Sequence, residues 1–221
     1  MSACRVGHRG AAGVAPENSL AGVRAAAESG CGWVEVDVRA GADGALLLHH
    51  DAEVAGGRSV AALDRAAAGT AGLATLHQAL TSARHLGLGI NLELKTDGGA
   101  PTLAVAVGEA LMNAGTAPDA VVLSSFAAEA LAHAPPPWPR ALLHRGPLNA
   151  RTCPGAAALG ATAVHLDRAH ATAGAVAAIR RAGLWAGVYT VNDAREAAAH
   201  ARHGASRLFT DVPSRLAGVA R

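Results

Sequence analysis

Aromatic side chains are scarce in this chain. Phe, Trp and Tyr make up 3% of its 221 residues, so few rings are available as stacking platforms for single-stranded nucleic acid. A basic surface is missing as well. The formal net charge is only +2, with no run of Lys or Arg to track a phosphate backbone. Cysteine is sparse. Cys4, Cys31 and Cys153 are odd in number and far apart, which is neither a disulfide framework nor a zinc pattern. They read as small buried residues in a reducing compartment. No apolar run is long enough to span a bilayer. The opening "MSACRVGHRG" lacks the apolar core of a signal peptide. These absences predict a soluble, cytoplasmic protein with no nucleic-acid partner and no stable membrane insertion. They leave the oligomeric state open.

What is present is an alternation. The chain is 51% hydrophobic, much of that alanine, and 16% charged, which suits closely packed helices. Nine short β-like runs, Cys4–His8, Trp33–Val38, Leu46–His50, Gly89–Leu94, Ala120–Ser124, Arg140–Leu143, Ala163–Leu166, Leu184–Tyr189 and Arg207–Phe209, are separated by Ala-rich helical runs. The helices fall at Ser19–Glu28, Leu76–Leu86, Thr102–Asn113, Ala127–Ala134, Ala171–Arg181 and Ala194–Arg202. Strand, helix, strand, repeated, means parallel pairing with helices outside. In this length the natural closure is an α/β (β/α)₈ TIM barrel. A doubly wound open sheet is the alternative, weakened in its dinucleotide-binding form because no G-x-G-x-x-G follows the first strand. Residues 1–221 read as one catalytic domain, with residues 52–72 a short insertion or lid. One junction is irregular. Only "RAGADGA", Arg39–Ala45, separates the second and third runs. Its Asp-Gly suggests a hairpin, yet seven extended residues also span about 23 Å, enough for a helix-less crossover.

The chemistry concentrates in two strands. In "WVEVDV" the valines Val34, Val36 and Val38 share one face and Trp33, Glu35 and Asp37 the other. In "INLELK" Ile90, Leu92 and Leu94 face one way and Asn91, Glu93 and Lys95 the other. In a barrel the polar faces look inward, and Glu35, Asp37 and Glu93 converge on the C-terminal mouth, where such folds place active sites. Three carboxylates together repel and raise each other's pKa. A hard divalent cation, Mg²⁺ or Ca²⁺, resolves this with oxygen ligands. His8 and His50 end the first and third runs, beside Arg9 and Asp51. Arg9 and Lys95 suit phosphate oxygens. Two histidines, a metal and two cations describe phosphoryl transfer better than acyl or glycoside chemistry. That chemistry needs His50 at the same mouth as Asp37. The expectation is therefore a parallel pair joined by a helix-less crossover, against the local turn signal. His49 reads as structural, and His85, His133, His200 and His203 as surface residues on helices.

The ordered set "HRG", "PEN", "E-x-D", "HD", "E-x-K", "SSF", "YTVN" and "TDVP" resembles the glycerophosphodiester phosphodiesterase family over nearly the whole chain. The resemblance implies a TIM barrel that hydrolyses glycerophosphodiesters to glycerol 3-phosphate and an alcohol with one divalent cation. It implies metal ligands at Glu35, Asp37 and Glu93 and catalytic histidines at His8 and His50. Phosphate or substrate contacts fall at Arg9, Glu17, Lys95 and Tyr189, with Tyr189 beside the glycerol. The stretch after "HD" is shorter than usual, and "TLHQAL" (Thr75–Leu80) lacks the acidic pair that relatives carry. A catalytically silent barrel binding phosphorylated ligands and a lysophospholipase D-type phosphodiesterase are the competing readings.

Overall fold

The computed structural model describes residues 3–96 and 99–219. In chain order its elements are β1 (Cys4–Gly7), α1 (Leu20–Glu28), β2 (Trp33–Ala40), β3 (Leu46–Leu48), β4 (Glu53–Val54) and β5 (Arg58–Ser59). There follow α2 (Arg65–Thr70), α3 (Leu76–His85), β6 (Gly89–Leu94), α4 (Ala100–Asn113), β7 (Val121–Ser125), α5 (Ala128–His133) and β8 (Arg140–His144). The last are α6 (Thr152–Ala158), β9 (Ala163–Asp167), α7 (Ala173–Arg181), β10 (Trp185–Tyr189), α8 (Ala194–His203) and β11 (Arg207–Thr210). Strands β1, β2 and β6 to β11 pair in parallel, and the β1–β2 contact closes them into an eight-stranded barrel.

Local sequence sets the helix ends. The Ser19 side chain accepts from the Gly22 amide at the start of α1, and Thr75 and Gln78 form a reciprocal capping box at the start of α3. Val34, Val36, Val38, Ile90, Leu92 and Leu94 are buried against α1, α3 and α4 residues such as Val23, Leu80 and Leu103. Each fully buried side chain of this size contributes roughly 1.5–3 kcal/mol. This layer fixes which face of β2 and β6 looks outward, and so which looks into the barrel.

The third run is not a barrel stave. β3 pairs antiparallel with β2, Val38 opposite Leu48 and Ala40 opposite Leu46, so the expected parallel crossover is corrected to a hairpin. The connection has no helix, as expected, and the Asp-Gly signal was sound. Asp43 Oδ1 accepts from the Ala45 amide, and Gly44 takes a left-handed φ of +76°. A return strand as deep as the barrel would carry His50 away from the mouth. β2 instead overruns the barrel to Ala40, and three residues of return bring the chain level with Asp37, where the His49 amide donates to the Asp37 carbonyl at 3.1 Å. His50 therefore reaches the mouth from above. Beyond it, residues 52–72 fold over a small core of Ala45, Leu47, Val60, Leu63 and Ala68. Two helices were not anticipated: α2 within this insertion and α6, whose Pro154-Gly155 reads locally as a turn.

The barrel floor is closed by Trp33, over whose ring the Arg207 guanidinium stacks at 3.7 Å. Midway up, the His165 ring is buried, its pKa pushed down to about 3 by burial and by Arg207, so it is a neutral filler. A Cβ at Gly187 would lie 2.4 Å from His165 Cδ2. Gly187→Ala is expected to cost about 1–3 kcal/mol by overpacking, read by urea unfolding. Adding His165→Ala should recover most of that loss; an unchanged midpoint in the single variant would contradict this packing.

Candidate active site

Six segments deliver the polar groups to one rim. The "HRG" turn folds back over β2. The Arg9 amide donates to Glu35 Oε2 at 2.7 Å, and the Gly10 amide to the Glu35 carbonyl at 2.8 Å. Gly10 is required there. Its φ is +91°, and a Cβ would meet the backbone of Gly22 at 2.7 Å. Asn18, in the "PEN" loop, grips Asp37 twice: Nδ2 donates to Oδ2 at 2.8 Å, and Oδ1 accepts from the Asp37 amide at 2.9 Å. Glu17 points outward and accepts from Arg9 Nη1 at 2.9 Å.

Glu35 and Asp37 are buried, and an oxygen from each lies within 4.8 Å of one from Glu93. Lys95, the only lysine in the chain, places its ammonium 3.2 Å from Asp37 and 2.5 Å from Glu93. Arg9 Nε lies 3.5 Å from Asp37. The cation supply does not reach every oxygen, because Glu35 Oε1 is buried with no partner. An orphaned carboxylate oxygen beside two more carboxylates is the donor set of a hard divalent cation, and Glu35, Asp37 and Glu93 fit one.

Both candidate histidines are anchored alike. His8 Nδ1 lies 2.7 Å from Asp211 Oδ1, and His50 Nδ1 lies 2.7 Å from Asp51 Oδ1. In each ring Nε2 is left for another partner. Asp211 is itself held, accepting from Asn192 Nδ2 at 2.7 Å and, through its amide, donating to Asn192 Oδ1 at 2.9 Å. The Arg39 guanidinium holds the His50 carbonyl at 2.7 Å. Asp211, Asn192 and Asn18 lay within the quoted motifs, but nothing in the sequence assigned them these partners. His49 contacts the Glu53 carbonyl at 3.0 Å. His200 is buried rather than at the surface, because α8 turns it in toward its neighbours.

Tyr189 ends β10 and lines one cavity with His8, Glu35, Glu93, Phe126 and Leu143. His8, Glu35, Glu93 and Tyr189 thus share one cavity, and ion pairs link Arg9, Asp37 and Lys95 to it. Another cavity, of about 560 Å³, lies beside α3 and the start of β6 and includes none of them.

A profile of the glycerophosphoryl diester phosphodiesterase family matches residues 8–215. The chain belongs to that family. Among solved structures, an Oleispira antarctica phosphodiesterase in complex with the product sn-glycerol-3-phosphate is 25% identical, with a TM-score of 0.89 over 97% of this chain and 95% of that one. A glycerophosphoryl diester phosphodiesterase fold from Silicibacter pomeroyi aligns at 22% identity and a TM-score of 0.88 over 97% and 92% of the two chains. A Bos taurus protein, glycerophosphodiester phosphodiesterase 1, is 38% identical over 109 residues, 48% of this chain and 30% of that protein. The match therefore spans under a third of that curated relative. No helix among the described residues is long and apolar enough to cross a membrane.

The electrostatics give this family member a pH signature. Burial and Asp37 push the Glu35 carboxyl up to about 8, and burial and Asp37 also raise Glu93. Burial opposes charge on His8, but Asp211 and Glu35 outweigh it and hold the imidazole above its ordinary value. All three bind protons more tightly folded than unfolded, so stability falls as pH rises through that interval. Metal-free protein is expected to lose stability between pH 4.5 and about 8, measured by urea midpoints. Glu35→Gln should flatten the decline, and Mg²⁺ or Ca²⁺ at pH 8 should reverse it. A midpoint that rises across the window would contradict the acid cluster.

Proposed function

We propose that this chain hydrolyses glycerophosphodiesters to glycerol 3-phosphate and an alcohol, as one catalytic domain with residues 52–72 as its lid. The observation that carries this reading is the pairing of three clustered carboxylates with two Asp-anchored histidines on one rim. Glu35, Asp37 and Glu93 would hold Mg²⁺ or Ca²⁺, which when bound supplies Lewis-acid charge to a phosphoryl oxygen. Arg9, braced by Glu17, and Lys95 bind the remaining phosphate oxygens. Tyr189 lines the enclosed cavity that takes the glycerol, the small invariant end of the substrate, and leaves the variable alcohol toward solvent. His8, whose imidazole Asp211 and Glu35 hold above its ordinary value against its burial, gives its proton to the departing alkoxide. His50 takes the proton of the attacking oxygen. The three free cysteines, with the Cys31 thiol pushed up to about 11 by burial, support a reducing, cytoplasmic setting.

Release of glycerol 3-phosphate from a panel of glycerophosphodiesters tests this. Activity is expected with Mg²⁺ or Ca²⁺, lost in EDTA and restored when the cation is returned. Indifference to the chelator would remove the metal, and silence on the whole panel would leave a binding protein. His50→Ala should lower kcat at least about 100-fold with the urea midpoint unchanged; near-normal turnover would take His50 out of the mechanism.

A further inference from the structure

On the side of the mouth formed by β7, β8 and β10, one cation has no part in the chemistry above. Arg145 directly follows β8, and its guanidinium carbon sits 5.3 Å from the centre of the Phe126 ring. Phe126 follows β7, is 42% exposed and stands edge-on to Tyr189 with ring centres 6.1 Å apart. Phe126 and Tyr189 line the cavity that also reaches His8, Glu35 and Glu93. The guanidinium charge also lies near the Tyr189 hydroxyl, which itself donates to the His144 carbonyl at 3.0 Å. Arg145 thus lies against the aromatic side of that cavity.

Among the described residues Arg145 has no carboxylate partner. The neighbouring acid, Asp167, is already engaged, accepting from the Gly146 amide at 2.8 Å and lying 2.7 Å from His170 Nδ1. An exposed ring at the edge of this cavity is otherwise a landing surface for an alkyl chain. Here its face is covered by a charged, planar, solvent-exposed group whose N–H donors must exchange water for other oxygen partners when substrate covers them. Free glycerol hydroxyls can satisfy those donors. A fatty-acyl chain on the same glycerol would remove one hydroxyl and lay methylenes against the charge, at a desolvation cost.

We infer that Arg145 is a specificity-determining residue, selecting diesters whose glycerol hydroxyls are both free over their acylated lysophospholipid counterparts. The inference rests on the phosphodiesterase reading. The bond broken is the same in both substrates: water adds its hydroxyl to phosphorus and its proton goes to the departing alkoxide. Only the group beside Arg145 differs.

The test compares glycerophosphocholine with 1-hexanoyl-lysophosphatidylcholine below its micellar concentration, both read as choline release with the divalent cation present. The native chain is expected to favour the deacylated diester in kcat/KM by at least about tenfold. Arg145→Leu and Arg145→Ala should each shrink that ratio about tenfold, through a lower KM for the hexanoyl substrate, whereas Arg145→Lys should keep most of it. Urea midpoints of the variants confirm that they fold. A ratio unchanged within about twofold in both Leu and Ala variants, or equal use of both substrates by the native chain, overturns this inference alone. Choline release from neither substrate overturns this inference, while the phosphodiesterase reading falls only if the whole glycerophosphodiester panel is silent.

Discussion

Three carboxyl groups with oxygens inside 4.8 Å of one another cannot all ionise in a protein interior without positive charge beside them. Much of the mouth is arranged around that constraint. Asp37 is the best supplied, with Asn18, Arg9 and Lys95 all reaching it. Lys95 divides its ammonium between Asp37 and Glu93. Glu35 is left with one backbone donor and an unpartnered oxygen, and its carboxyl is the one pushed furthest toward neutrality. The site is thus deficient by roughly one cation, at the position where the donor atoms are hard oxygens.

The same constraint explains the loops. The turn after β1 takes a left-handed Arg9 with φ +49° and a left-handed Gly10 so that two successive amides face β2. The "PEN" loop folds back so that Asn18, itself at φ +52°, reaches Asp37. Strained backbone of this kind persists where surrounding contacts fix it, and such positions cluster at functional sites. The histidines share a different logic. Each has one ring nitrogen tied to an Asp, which sets ring orientation and leaves the other nitrogen to the reaction. His8 is braced through Asp211 by Asn192, while Asp51 stands 75% exposed beside His50.

Legibility followed the range of the signal. The outward faces of β2 and β6 could be read from alternation alone, because Val34, Val36, Val38, Ile90, Leu92 and Leu94 obey a period of two that only a pleated strand satisfies. α1 and α3 were readable as helical runs between strands. α6 was hidden, because its Pro154-Gly155 is a turn signal unless Pro falls in the first helical turn, where its missing N–H costs nothing. The residue types of the site were visible because carboxylates and histidines at strand ends violate the apolar pattern. Their supports were not, since Asp211 lies 203 residues from His8 and Asn192 and Asn18 look like ordinary loop residues.

The sequence by itself determined the barrel, the inward acids and the histidines that end the first and third runs, because periodicity and strand-end position are local properties. How the chain returns after β2 was decided only by tertiary structure. Asp43-Gly44 asked for a hairpin and the chemistry asked for His50 beside Asp37, and the two looked incompatible along the chain. They are compatible in three dimensions because β2 runs past the barrel rim before it turns, and how far a strand overruns its neighbours is set by which partners it finds. The placing of Arg145 over Phe126 was likewise invisible. Those residues come from different strands, and only barrel closure sets their separation.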